Sequence, residues 1–206
     1  MARTSRRQVR RAAAFTVATA AAFAAWAPTA SAATTASVPC STRSTAKKFL
    51  AVDGDINSYF TAPAGTFEAG ATGWALANSS VVTGNEPRYI NGAGQSRSLK
   101  VNSGGLAVTP IFCNAKGEAL VRFFYKGSAG ARIHLHIDVT NTTSNLNSPL
   151  DWEVPVAANG GWVAASGINV PWMYSGDNTE NMQLRFSAVG GSVQVDDVEI
   201  DPWKSL

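Results

Sequence analysis

The phrase RIHLHIDVT, residues 132–140, places His134 and His136 one residue apart, with Arg132 before them and Asp138 after them. In a pleated strand successive side chains alternate between faces, so Ile133, Leu135, Ile137 and Val139 share one side and Arg132, His134, His136 and Asp138 the other. One side is core; the other is a polar strip that binds a ligand by hydrogen bonds or faces water. Paired imidazoles with a carboxylate also invite a catalytic metal. The sequence holds only two histidines, so such a site would have no third imidazole. A second chemical feature stands near the end of the chain, in SVQVDDVEI (residues 192–200). There the apolar alternation runs Val193, Val195, then Val198 and Ile200. Asp196 and Asp197 fill the place where it slips by one, the signature of a β-bulge. The acid pair is either solvated on an edge strand, discouraging sheet-to-sheet pairing, or neutralised by a cation.

These side chains need strands to position them, and strands are what the sequence offers. No helical period of useful length occurs. Short alternating runs bounded by Gly, Asn, Ser and Pro recur instead. The clearest are 119–126, 132–140, 182–189 and 192–200, with others expected near Phe67 and over 98–102, 162–166 and 168–170. Eight or so short strands predict an all-β sandwich or barrel.

Charge is sparse, at 15% of 206 residues, and the apolar content of 45% suits a packed core rather than a disordered chain. The net charge of +3 misleads. Five of the 17 basic residues lie in the first 11 and no acid precedes Asp53, so without that stretch 12 basic side chains face 14 acidic ones. Nothing then favours a nucleic-acid partner. The arginine-rich head, the apolar run Ala12 to Ala27, Pro28 and the small-x-small triplet Ala30-Ser31-Ala32 predict a secretion signal over residues 1–32. The run is too short and too alanine-rich for a membrane span, so no membrane insertion is expected. Residues 33–45 read as a flexible linker and 46–206 as one domain. In an oxidising compartment the only two cysteines, Cys40 and Cys113, are expected to pair.

With TFEAGATGWAL (66–76), GNEPRYINGAGQSRSLKV (84–101), LVRFFYKG (120–127) and VQVDDVEI (193–200) in view, the chain resembles the galactose-binding-like jelly-roll domains. It is similar in particular to carbohydrate-binding modules of the family four, nine and twenty-two type. The resemblance implies a two-sheet antiparallel jelly-roll β-sandwich whose opening and closing strands lie side by side. It also implies a structural calcium between them, held by Glu68 and by Asp196 or Asp197 with main-chain carbonyls.

Function follows as an expectation of the same resemblance: a secreted, monomeric, non-catalytic module that binds a polysaccharide or cell-wall glycan. Sugars stack their C–H faces on aromatic rings while short polar side chains meet their hydroxyls. Trp152 between Asp151 and Glu153, and Trp172 and Tyr174 in VPWMYSGDN, supply rings, with Arg132, His134 and His136 as polar partners. The alternatives are a glycan-active hydrolase or lyase on the same fold, for which Asp138, Asp151 and Glu153 could supply acids, and an adhesion or structural protein of the envelope. No GxSxG elbow of a serine hydrolase occurs.

Overall fold

The computed structural model describes residues 37–51, 54–115, 120–141, 147–157, 159–170 and 179–201. The signal segment, Trp172 and Tyr174 lie outside the described residues. Among the described residues, eleven strands follow the 3-10 turn at Cys40–Thr42: β1 Phe60–Thr61, β2 Ala75–Thr83, β3 Arg97–Val108, β4 Phe112–Ala115, β5 Leu120–Gly127, β6 Arg132–Asn141, β7 Asn147–Pro155, β8 Val163–Ala164, β9 Ile168–Asn169, β10 Thr179–Val189 and β11 Val193–Asp201. Among the described residues there is no α-helix, and none long and apolar enough to cross a membrane.

Every strand pair is antiparallel. One layer runs β7-β6-β10, and the far edge of β10 pairs with residues 106–108 of β3 and then with β4. The other centres on β11, flanked by β5 on one edge and by residues 99–101 of β3 and then β1 on the other. β3 therefore serves both layers and turns the corner between them. The corner is built by Gly104 at φ +72° and by Gly105, where a Cβ would stand 2.6 Å from the Asn78 carbonyl oxygen. Opposite it, β2 carries a bulge between Ala77 and Ser79, with Asn78 at φ +49°. The result is the expected jelly-roll β-sandwich.

The core lies between the layers. Ile133, Leu135, Ile137 and Val139 of β6 and Met182, Leu184 and Phe186 of β10 meet Val121 and Phe123 of β5 and Val195, Val198 and Ile200 of β11, all at 2% exposure or less. Phe123 and Phe186 meet edge to face across the gap, 5.2 Å between centroids. A smaller apolar cluster of Leu50, Tyr59 and Phe124, with Phe49, Ile90 and Trp162 against it, covers the outside of the β5 layer. Residues 46–51 and 54–60 and the 84–96 loop are thereby packed onto that face.

Several details differ from the sequence reading. The strand expected near Phe67 is a tight turn in which Phe67 has φ +58°, because this stretch hooks back onto β11: Ala62 N donates to Val198 O and Val198 N to Gly65 O. β1, β2, β4 and β7 add to the expected strands. Within the linker segment, Val38 forms a parallel bridge to Phe112, and Cys40 is joined to Cys113 by a disulfide with Cα atoms 5.0 Å apart.

Candidate functional site

β6 lies between β7 and β10, so its outward side chains have neighbours on both edges. Opposite His134 stand Glu153 and Ser187; opposite His136, Asp151 and Arg185; opposite Asp138, Gln183. The register converts three separate sequence phrases into one polar face. Arg132 pairs with Glu153. His134 Nε2 lies 3.0 Å from Asp151 Oδ1, and His136 Nδ1 lies 2.6 Å from the same oxygen. On its other side His136 Nε2 is 3.1 Å from Asp138 Oδ1, and Arg185 Nη2 is 2.8 Å from Asp138 Oδ2. Next to this chain a cleft of about 290 Å³ opens, lined by Ile111, Asp138, Thr140, Asn181, Gln183 and Arg185.

An imidazole with a carboxylate at each nitrogen donates from both only when protonated. The Asp151 hydrogen bond, opposed by partial burial and reinforced by Asp138, raises the His136 pKa above its ordinary value. The same contact, chiefly through His136, holds the exposed Asp151 carboxyl below the carboxylate range. Asp151 is thus the opposite of a general acid, which needs a raised pKa.

Of the expected ligand residues, Arg132, His134 and His136 share this face. Trp152 does not. Strand alternation turns it away from its neighbours Asp151 and Glu153 and into the sandwich, edge to face with Phe123 at 5.7 Å and with Tyr125 at 6.1 Å. It belongs to the core side.

The twin acids form the predicted bulge. Asp196 pairs with Phe124 and Glu199 with Arg122, so β11 has one residue more than β5 between them, and Asp197 takes φ +46°. Both carboxyls are fully buried, as are Glu86 and, at 1% exposure, Glu199. Asp196 accepts from Glu86 N and Asp197 N, each at 3.0 Å. Asp197 Oδ1 accepts from Asn91 Nδ2 and Gln95 Nε2, each at 2.9 Å, and Asn91 Nδ2 also reaches Glu199 Oε1 at 2.7 Å. Glu68 Oε1 accepts from Ser96 N and Arg97 N at 2.8 Å. Burial, then the Asp197 charge, pushes Asp196 up to about 8; burial pushes Asp197 to about 6 and Glu199 to about 8. Asp197 Oδ2 and Glu199 Oε2 are buried with no hydrogen-bond partner.

In donor type these residues suit calcium, which takes hard oxygen ligands, and the orphaned Asp197 Oδ2 is an oxygen left over for one. Among the described residues, no group of three or more His, Cys, Asp or Glu side chains stands where it could together hold a metal ion. A cation here would complete its shell with main-chain carbonyls and water.

No family model and no curated protein matches the sequence. Solved structures do. The chain is similar to a family 11 carbohydrate-binding module from Clostridium thermocellum in complex with a β-1,3-1,4-mixed-linked tetrasaccharide, at 14% identity over 68% of this chain and 95% of that one, TM-score 0.41. The CBM22-1 xylan-binding domain of Xyn10C from Paenibacillus barcinonensis matches at 17% identity over 68% and 93%, TM-score 0.42. A family 61 module in complex with β-1,4-galactotriose matches at 14% over 66% and 94%, TM-score 0.41.

Sequence reasoning missed Asn91, Gln95, Glu86 and Glu199, which surround the twin acids. For Glu199 the signal was present: in VEI it stands opposite in phase to Val198 and Ile200, on the same side as the acid pair. For the others, in a loop without periodicity, there was none.

Proposed function

We propose that this protein is a secreted, non-catalytic binder of a polysaccharide or cell-wall glycan, and that the outer face of β7-β6-β10 is where it binds. The observation that carries this reading is the linked polar strip Arg132–Glu153, His134–Asp151–His136–Asp138–Arg185, running into the cleft beside Gln183 and Thr140. Such a surface offers carboxylates as acceptors and guanidinium and imidazole groups as donors, already fixed in place by one another, which lowers the entropy lost on ordering them around a sugar. Export is supported by the arginine-rich head and small-x-small triplet, and by a disulfide that suits an oxidising compartment. The reading includes a structural calcium bound by Glu68 and Asp197 with main-chain oxygens. Its support is the orphaned Asp197 oxygen and an Asp197 pKa raised in part by the nearby charge of Glu68.

The test is a glycan array probed with residues 33–206, followed by calorimetry on any hit with Arg185→Ala. Retention of a wall glycan, weakened by the substitution and without release of reducing ends or unsaturated products, is the expected result. Product release moves the case to an enzyme; absence of any retention removes sugar binding.

A further inference from the structure

The outer face of the other layer carries a second polar strip, of different character. Gln194 of β11 is the register partner of Lys100 of β3 on one side and of Lys126 of β5 on the other, and Lys100 is in turn the partner of Ser80 of β2. Leu99, Val101, Val193 and Val195 are fully buried, so strand alternation turns these four polar side chains outward. A cleft of about 220 Å³ opens along them, lined by Lys100, Gln194 and Lys126 together with Ser128, Ser192 and Gly160.

The cleft is furnished with donors, and no lining side chain is a carboxylate. Among the described residues Lys100 has no ion-pair or hydrogen-bond partner. Lys126 meets only the Trp162 ring, its Nζ 4.7 Å from the centroid, a contact that holds the ammonium in place. Gln194 Oε1 accepts from Ser98 Oγ at 3.2 Å, which leaves the Nε2 donors of its amide for a ligand. Asp196, the next residue on this side of β11, is fully buried and accepts from Glu86 N at 3.0 Å, so the 84–96 loop closes over its carboxyl.

The two lysines are not edge guards. Lysine on an edge strand discourages sheet-to-sheet pairing, whereas β3 lies here between β2 and β11, and β5 between β11 and β8. On the outer face of β7-β6-β10 the arginines are paired, Arg132 with Glu153 and Arg185 with Asp138. Two ammonium groups without carboxylates, on either side of an amide donor, therefore set this face apart. An ammonium is a compact point charge without a planar fork, so it suits a tetrahedral oxyanion better than a carboxylate held bidentately. The cleft is smaller than a pocket for a whole small molecule. It has room for one charged substituent of a chain that lies across the open strip.

We propose that this strip binds an anionic glycan bearing sulfate or phosphate-ester groups, with one oxyanion seated at the Gln194 amide between Lys100 and Lys126. The site is separate from the β7-β6-β10 face but rests on the reading of the protein as a glycan binder, to which it adds a charged class of ligand.

The experiment uses residues 33–206 with dextran, dextran sulfate and dextran phosphate of matched length, compared by calorimetry at low salt. The expected result is that a charged dextran binds at least about tenfold more tightly than dextran itself, and the one that does so identifies the oxyanion. Lys100→Gln combined with Lys126→Gln should remove that advantage and leave the melting curve unchanged. Lys47→Gln combined with Lys48→Gln takes the same charge from two exposed positions outside the strip and should retain it. Charged dextrans that bind no better than dextran overturn the proposal, as does an equal loss in the two double variants, which would mark a diffuse attraction to the whole surface. Any neutral glycan found on the array should bind the Lys100 and Lys126 double variant as it binds the parent. Charged binding that depends on these lysines, in a protein that retains no neutral glycan, supports the strip and removes the β7-β6-β10 reading instead.

Discussion

His136 Nδ1 lies 2.6 Å from Asp151 Oδ1, across the β6–β7 pair. This contact raises the histidine pKa and lowers that of the aspartate, and the two shifts describe one interaction. For His136, raised in the folded state, the stabilising contribution is complete below the unfolded pKa near 6.5 and is lost as pH climbs through the folded value. For Asp151, depressed in the folded state, it is complete above the unfolded value near 3.8 and is lost as pH falls through the folded one. The pair should therefore support the fold most between those two unfolded values. An NMR titration of the imidazole C–H signals should show His136 titrating above an ordinary histidine, and Asp151→Asn should bring it back down. A midpoint that the substitution leaves unmoved would show that Asp151 is not the cause.

The disulfide closes a separation of 73 residues and fixes the Val38–Arg43 stretch beside β4. Loop-closure entropy gives such a bridge about 4 kcal/mol on the chain-entropy model. Cys40→Ser with Cys113→Ser, or reduction of the native protein, should shift the urea midpoint down by a corresponding amount. A midpoint that holds under reducing conditions would mean that the contacts of Val38 and Phe112 keep the stretch in place without the covalent link.

Gly105→Ala tests the corner that joins the layers. The new Cβ would stand 2.6 Å from Asn78 O and 2.8 Å from Asn102 O, both main-chain atoms that cannot rotate aside. Destabilisation of about 1–3 kcal/mol is expected from overpacking of this kind, against almost none for alanine at Gly94, where nothing lies within 4 Å. Equal midpoints for the two variants would show that β3 can shift to accept the methyl group.

How far the sequence disclosed this arrangement depends on the length of each pattern. β6 declares itself because Ile133, Leu135, Ile137 and Val139 alternate without interruption, and in β11 the slip at Asp196-Asp197 marks the bulge at its true position. β3 is longer than its legible part, since Gly104-Gly105 reads as punctuation although the strand bends there and continues. β2 is obscured by its own bulge at Asn78, which resets the alternation partway along. Trp152 is a different case. Its neighbours Asp151 and Glu153 suggested a binding ring, yet alternation within the same three residues puts the tryptophan on the opposite side, and the pattern was the better guide.

Calcium is testable through stability, because an ion that binds only the folded chain raises its melting temperature by mass action. EDTA should lower the melting temperature of residues 33–206, added calcium should restore it, and Glu68→Ala or Asp197→Asn should abolish the response. Should the melting curve ignore both chelator and calcium, the orphaned oxygen of Asp197 must be met by a proton or a water molecule, consistent with its raised pKa.

Arg185 is the sharpest probe of the polar face. It reaches Asp138 at 2.8 Å from an exposed position, its own side chain being 46% accessible, and it lines the cleft beside Gln183. Removing the guanidinium takes away donors available to sugar hydroxyls and leaves Asp138 with His136 but without the Arg185 contact. The guanidinium itself is exposed and His136 still meets the Asp138 carboxylate, so the loss of Arg185 should move the melting temperature little. Hydrogen bonds to charged groups contribute roughly 1.5–3 kcal/mol, so Arg185→Ala should weaken glycan binding about tenfold to a hundredfold, while Arg185→Lys, which keeps the charge but not the planar fork, should recover only part of it. Full recovery by lysine would assign the residue a purely electrostatic part. A glycan that binds the alanine variant as well as the parent would move the binding surface away from β7-β6-β10 altogether.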